Sequence, residues 1–297
     1  MERGAGQGKS LAGAAVRRRP LGRTGLAVSE IGFGCGPTAG LMVRGTPAER
    51  RDAVARALAL GIDYFDTAPV YGDTVSEAHL GATLRALGAR PTVATKVAIE
   101  APDFGDICGA TIRSVEASAE RLGVPITLIQ LHNRVGPARS AKAEYGSGAL
   151  LTVDDVLGPG GVIDGFRAVR DRGLARFFGC SGYGGSPAAV ARLIESGAFD
   201  TITVNYSMLN RTAWTPDSSL ARNYAGTGKK ATAAGMGIVG LRVLEGGALA
   251  DKAAAAVRFA LANPDLSTVL IGFSDLGQIE AAARYAADQE TRGSLSS

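Results

Sequence analysis

YFDTAPVYGDTVSEAHLG, Tyr64 to Gly81, is the stretch on which the reading of this chain turns. Its apolar lead-in, Ile62 to Phe65, predicts a short buried strand that carries Asp66 to its end. Tyr71 follows in a loop, and Thr74 to Ala86 has the spacing of a helix. A carboxylate and a phenol at the mouth of a buried strand cost free energy unless they are partnered. The partners are expected at neighbouring strand ends, and the chain supplies them. Lys96 closes the run PTVATKV (Pro91–Val97), and His132 closes TLIQLH (Thr127–His132).

Outward from this stretch, short apolar runs alternate with longer amphipathic ones. A hairpin is expected over Arg18–Val28, turning at Arg23 to Gly25. The first strand of the repeat is Glu30–Cys35, and Pro47–Leu60 is its helix, opened by proline and stopped by Gly61. After the second and third strands come helices ending near Gly88 and at Leu122. Beyond the fourth strand a polar, glycine-rich insertion runs from Asn133 to Gly161, with a short helix over Leu150–Leu157. It is too long for an ordinary connection and is expected to be a binding loop or lid. Val162–Arg172 is the helix that completes the fourth unit, and four further pairs follow: the strand Ala175–Ser181 with Pro187–Ser196, the strand Phe199–Asn205 with a helix over Leu220–Ala234, the strand Gly237–Leu241 with Ala250–Ala262, and the strand Ser267–Ile271 with Leu276–Ala287. Eight strand–helix units in one domain are the arithmetic of an α/β (β/α)8 TIM barrel. A doubly wound open sheet would carry GxGxxG after its first strand; GFGCGPTAG (32–40) lacks that spacing and leads into a loop.

The chain has 297 residues and a formal charge of +4. The excess sits before Pro20; from there on, 27 basic residues face 27 acidic ones. A neutral body speaks against a nucleic-acid face. Residues 1–16 read as a flexible leader and 291–297 as a flexible tail, leaving 17–290 as one domain without an internal linker. GAGQGKS in the leader lacks the first glycine and the preceding strand of a phosphate loop. Cys35, Cys108 and Cys180 match no metal or disulfide spacing, and no apolar run is long enough to span a membrane. A cytoplasmic location and no metal are therefore expected.

In a barrel the carboxyl ends of all strands face one opening, which brings Asp66, Tyr71, Lys96 and His132 together. Lys96 would lower the pKa of Tyr71, Asp66 would keep Lys96 charged and pointed, and His132 would donate to a carbonyl oxygen. Such a site protonates an oxygen while the attached carbon receives hydride, and no side chain donates hydride, so a nicotinamide is implied.

FDTAPVYG, SEAHLG, Lys96 and the LHN at His132 resemble the aldo-keto reductase superfamily, from about Arg18 to Ala287. The resemblance implies a catalytic tetrad of Asp66, Tyr71, Lys96 and His132, with Tyr71 as general acid/base. It also implies extended NAD(H) or NADP(H) across the barrel top. The carboxamide grip expected after the fifth strand reads Ser181-Gly182 in place of Ser-Asn. YSMLNR (206–211) resembles YNLLNR and sets Thr203 at the position of a glutamine, with Asn205 on the same face as a substitute. GLRVLEGGAL (240–249), with Gly240, Leu241 and Arg242, resembles a pyrophosphate loop. IGFSDLGQIEAA (271–282) resembles the phosphate and adenosine segment, with Gly272, Phe273, Ser274 and Gln278. Gln278 stands where NADPH-selective members often have arginine, which leans toward NAD(H) or dual use.

Phe33, Tyr183, Trp214 and, from the long loop, Arg134, Arg139, Lys142 and Tyr145 are candidates for the substrate wall, whereas His79 lies inside a helix away from the opening. The phrasing resembles sugar and aromatic-aldehyde dehydrogenases and general aldehyde reductases, so the partner is a small carbonyl or hydroxylated molecule. The alternative is a nicotinamide-sensing or interaction subunit on the same barrel. Monomer and homo-oligomer stay open.

Overall fold

Eight parallel strands close into a barrel in the computed structural model, which describes residues 15–141 and 147–293. They are β3 (Ile31–Gly34), β4 (Tyr64–Asp66), β5 (Thr92–Val97), β6 (Ile126–Leu131), β7 (Ala175–Ser181), β8 (Thr201–Asn205), β9 (Gly237–Leu241) and β10 (Thr268–Gly272), and β10 returns to pair with β3. The antiparallel hairpin β1 (Arg18–Pro20) and β2 (Ala27–Ser29) precedes them. Outside lie α1 (Leu41–Arg44), α2 (Pro47–Ala59), α3 (Val75–Ala86), α4 (Ile107–Leu122), α5 (Val153–Leu157), α6 (Val162–Asp171), α7 (Pro187–Glu195), α8 (Thr227–Ala233), α9 (Ala253–Leu261) and α10 (Leu276–Gly293). GAGQGKS, Lys142 and Tyr145 lie outside the described residues.

The helices begin where local chemistry satisfies their free N–H groups. Thr46 and Glu49 form a reciprocal capping box ahead of α2, with Pro47 in the first turn. Asp106 caps α4 through the Gly109 N–H, and Thr152 and Asp155 repeat the capping box at α5. The segment SEAHLG, carried by α3, turns out to be a scaffold. Ser76 donates to the Cys35 carbonyl at 2.9 Å, and the fully buried Glu77 accepts from Thr95 and from Arg121 Nε at 2.6 Å. A Cβ on Gly81 would stand 2.0 Å from the Leu122 carbonyl oxygen, so only glycine lets α3 lie against the end of α4.

The hairpin closes the floor. Leu21 and Val28 are fully buried against Tyr64, Ala94, Leu128 and Val239. Arg19 fixes it from outside, pairing with Glu30 at 2.8 Å and donating to the carbonyls of Leu261, Asn263 and Leu266. The side-chain period of two then leaves Asp66, Lys96 and Gln130 on one interior face of β4, β5 and β6.

Two expectations are corrected. The helix expected over Leu220–Ala234 is confined to α8. Ala225 and Gly226 adopt positive φ (49° and 74°), and the Arg222 carbonyl accepts from Asn210 Nδ2 at 2.8 Å and from Thr212 Oγ1 at 3.2 Å. The backbone before α8 is thus bonded to the preceding loop and not to a helical turn. The second correction is α1, an extra helical turn between β3 and α2 that the glycine-rich sequence around it obscures.

Candidate active site

Asp66, Lys96, Tyr71 and His132 meet at the carboxyl end of the barrel. Lys96 Nζ pairs with Asp66 Oδ1 and donates to the Thr67 carbonyl at 2.8 Å and to the Tyr71 hydroxyl at 3.3 Å. The ammonium also lies 4.7 Å from the centre of the Tyr71 ring. His132, one residue beyond β6, has its ring 6.1 Å from that of Tyr71 and nearly perpendicular to it, at 85°. Its Nδ1 is buried without a hydrogen-bonding partner.

Burial sets the charges. The Lys96 ammonium is desolvated, yet Asp66 and Tyr71 hold its pKa above the ordinary value, so it stays charged. Burial alone pushes the Tyr71 phenol up; Lys96 opposes this and Asp66 adds to it, and the result is a value pushed up to about 12. Lys96 lowers the phenol's pKa as its charge leads one to expect, but desolvation outweighs it, so the ammonium moderates a net rise. His132 is lowered to about 3, by burial first and then by the Lys96 and Arg134 charges, so its imidazole is neutral at ordinary pH. A neutral imidazole carries one donor and one acceptor nitrogen.

A cavity of about 640 Å³ opens over Tyr71. Gly182, Asn205, Leu241 and Arg242 line it, as do Arg134 and Tyr183. Arg242 adopts a left-handed φ of 57°, a conformation that aims a non-glycine residue at the cavity at some cost in strain. Ser181 lies just below, its hydroxyl donating to the Leu131 and His132 carbonyls at 2.9 and 3.2 Å. Thr203 is buried beside it and donates to the Cys180 carbonyl at 3.4 Å. Asn205 donates through Nδ2 to the Tyr224 hydroxyl at 2.7 Å. At Gly182 a Cβ would stand 2.7 Å from Ile202 Cδ1 and 2.9 Å from the Thr203 carbonyl, so this backbone has no room for asparagine.

Other expected residues stand elsewhere. Gly272, Phe273, Ser274 and Gln278 form the β10–α10 corner and Gly240 lies within β9, all outside the walls of this cavity. Phe273 is buried edge-on to Phe33 at 5.1 Å, and Phe33 stacks on Phe65, so Phe33 belongs to the core and not to the substrate wall. The Gln278 amide oxygen accepts from the Ser274 N–H at 3.0 Å, and Asp275 accepts from the Gln278 N–H at 3.0 Å, which caps α10. Trp214 packs on Tyr206 at 4.8 Å and donates to Asp265 at 2.7 Å, away from the opening. Arg139 pairs with Asp155, and His79 bonds the Met42 carbonyl at 2.9 Å. Tyr224 and Arg222 in the cavity wall, and Gln130 beneath it, are absent from the sequence expectations. Gln130 carried a signal: it stands two residues before His132, on the same face of the strand.

Among the described residues, no group of three or more His, Cys, Asp or Glu is placed to hold a metal, and no helix is long and apolar enough to cross a membrane. The donor set does suit a dinucleotide. Among the described residues, Arg134, Arg222 and Arg242 line the cavity, no carboxylate does, and glycines 182, 184 and 185 open its wall.

A (β/α)8 barrel with these groups at its mouth is the frame of an NAD(P)-dependent oxidoreductase family. The chain belongs to the aldo/keto reductase family, whose sequence pattern matches residues 30–254. L-galactose dehydrogenase of Arabidopsis thaliana is 28% identical over 319 residues, covering 94% of this chain and 90% of that protein. Pyridoxal 4-dehydrogenase of Microbacterium luteolum is 44% identical over 86 residues, 28% of this chain and 24% of that one. A solved Pseudomonas aeruginosa structure assigned to the aldo-keto reductases superposes with a TM-score of 0.71 at 27% identity, covering 94% and 98% of the two chains. The holo form of an aldo-keto reductase from Bacillus halodurans shares the fold, with a TM-score of 0.69 at 22% identity over 91% and 90% of the chains.

Proposed function

We propose that Tyr71 is the general acid/base of this enzyme and that its substrate is a small hydroxylated carbonyl compound reduced to its alcohol, or, in the other direction, an aldose oxidised at its anomeric carbon to the lactone. The convergence of Asp66, Lys96, Tyr71 and His132 under one cavity carries this reading. Bound NAD(P)(H) supplies the hydride acceptor or donor. In reduction, Tyr71 is protonated and gives its proton to the carbonyl oxygen, while the neutral His132 holds that oxygen from the other side. In oxidation the phenol must first lose its proton; the Lys96 charge makes that less costly, and the rate rises with pH. The Asp66–Lys96 pair keeps the ammonium in place through either direction. That pair is intact and buried, which supports turnover over a role in nicotinamide sensing alone.

Arg134, Arg222 and Arg242 would meet the anionic parts of the dinucleotide, with Gly182, Asn205 and Leu241 beside it. At the β10–α10 corner the neutral Gln278 is engaged in capping, and the Asp275 carboxylate occupies the helix N-terminus. Both features favour NAD(H), because a 2′-phosphate at this corner would meet the Asp275 carboxylate and the neutral Gln278 in place of an arginine. The family pattern ends before this corner, so it rests on the chain's own residues. For the substrate, the supports are a relative named for L-galactose across nearly the whole chain and the polar groups of Thr38, Asn223 and Tyr224 in the wall. The free, core-buried Cys35 and Cys180 suit a reducing cytoplasm. Fluorescence titration with NADH and NADPH at one ionic strength, followed by a panel of free aldoses with NAD, tests the reading. Tighter NADH binding and aldose oxidation are expected; binding of neither nucleotide would overturn it.

A further inference from the structure

Asp66 presents two carboxylate oxygens, and pairing with Lys96 occupies only one. Oδ1 meets the ammonium, whereas Oδ2 accepts from Gln130 Nε2 at 2.9 Å, with both residues buried. Gln130 stands on β6, in register with Lys96 on β5 and with Gly179 on β7. A Cβ at Gly179 would lie 2.8 Å from Gln130 Cγ, so the missing side chain on β7 is what gives the amide its space. The orientation of the amide is fixed by chemistry: turned over, it would set its carbonyl oxygen against a carboxylate oxygen, two acceptors in contact. In the orientation observed, Oε1 is buried and has no hydrogen-bonding partner. Stability alone would favour an apolar residue here, since an unpaired buried acceptor carries a desolvation cost. The amide is kept for its donor.

We propose that Gln130 is a positioning residue for the proton transfer at Tyr71, an inference that rests on the assignment of Tyr71 as general acid/base. Held through Oδ2, the Asp66 carboxylate cannot rotate about its Cβ–Cγ bond, so Oδ1 stays aimed at Lys96. Lys96 is thereby kept between Asp66, the Thr67 carbonyl at 2.8 Å and the Tyr71 hydroxyl at 3.3 Å. The N–H also draws off part of the carboxylate's negative charge, leaving more of the ammonium's field for the phenol. The titratable groups facing this carboxylate are Lys96 from β5, Tyr71 from the loop after β4, Tyr64 from β4 itself, Cys35 after β3 and Tyr183 from the loop after β7; His132, after β6, faces Lys96.

Gln130→Leu removes the donor, and Gln130→Glu keeps the shape while making the donor depend on pH. For Gln130→Leu we expect kcat for carbonyl reduction to fall by about 10-fold or more while KM and nicotinamide Kd change by less than about 2-fold. The alkaline limb of its kcat profile should move to higher pH, because Asp66 then raises the phenol more strongly. Gln130→Glu should approach wild-type kcat in acid, where the protonated side chain donates to Oδ2. It should lose activity as the coupled carboxyls ionise with rising pH. In the cofactor-free variant, infrared difference spectra should show a protonated-carboxyl band that is absent from the wild type and displaced by Asp66→Asn. A Gln130→Glu profile shaped like the wild type's, or an unchanged kcat in Gln130→Leu, overturns the proposal. Should the wild type reduce no carbonyl at all, the assignment of Tyr71 fails instead, and the infrared band then decides the Gln130–Asp66 contact by itself.

Discussion

Lys96→Met removes the ammonium while keeping most of the side-chain length, and it strands a charge. Asp66 is 2% exposed and Lys96 3%. Without the cation, the carboxylate keeps only the Gln130 amide on Oδ2. Breaking a buried pair by removing one partner costs roughly 3–5 kcal/mol, because the remaining charge is uncompensated. In a chain of this size that lowers Tm by roughly 10 °C. Left uncompensated, the buried carboxylate favours its protonated form in the folded variant more than it does in the unfolded chain. The folded variant then binds more protons than the unfolded one, so its stability falls as pH rises from about 4 toward neutrality. The deficit should therefore be small in acid and full near pH 8. Asp66→Asn in the same chain removes the charge and should restore most of the loss, a coupling of about 2–4 kcal/mol in a double-mutant cycle. Urea unfolding of the four proteins at two pH values measures all of this. Equal stability of Lys96→Met and wild type at both pH values, or additive losses in the double variant, would refute the argument.

Tyr71→Phe should bind nicotinamide nearly as the wild type does but lose about 10²- to 10⁴-fold in kcat for reduction, together with the rise of oxidation with pH. Wild-type turnover in stopped-flow single-turnover assays would remove Tyr71 from its role. Gln278→Arg should raise the NADPH to NADH affinity ratio by about 10-fold; an unchanged ratio would mean that this corner does not read the 2′-phosphate. His132, neutral down to about 3, opposes folding in acid, since the unfolded chain gains the proton first. Stability on its account is full above about pH 6.5 and is lost as pH falls toward 3, at about 1.4 kcal/mol per unit. His132→Gln should flatten the pH dependence of unfolding in that window.

The sequence betrays the barrel because its strands are apolar runs closed by polar residues, and the four site residues because each ends such a run or follows it closely. Asp66, Lys96 and His132 could be aligned from strand period alone. What escaped depends on the third dimension. Tyr224 reaches the cavity only because the chain before α8 is bonded to the loop of Asn210 and Thr212, and no periodicity announces that. Trp214 and Phe33 attract attention as large aromatics, but core packing and a bond to Asp265 claim them. The rise of the Tyr71 phenol was also illegible, because residue types show which charges are near but not how much water is excluded.

The plugged floor has a kinetic consequence. With Leu21 and Val28 sealed beneath the strands, the floor is closed among the described residues, and Tyr71 is open to the cavity above it. Two reactants sharing one corridor cannot exchange independently: whichever sits deeper must arrive first and depart last. Steady-state kinetics should then follow a compulsory order, with product inhibition competitive only against the molecule that leads the queue.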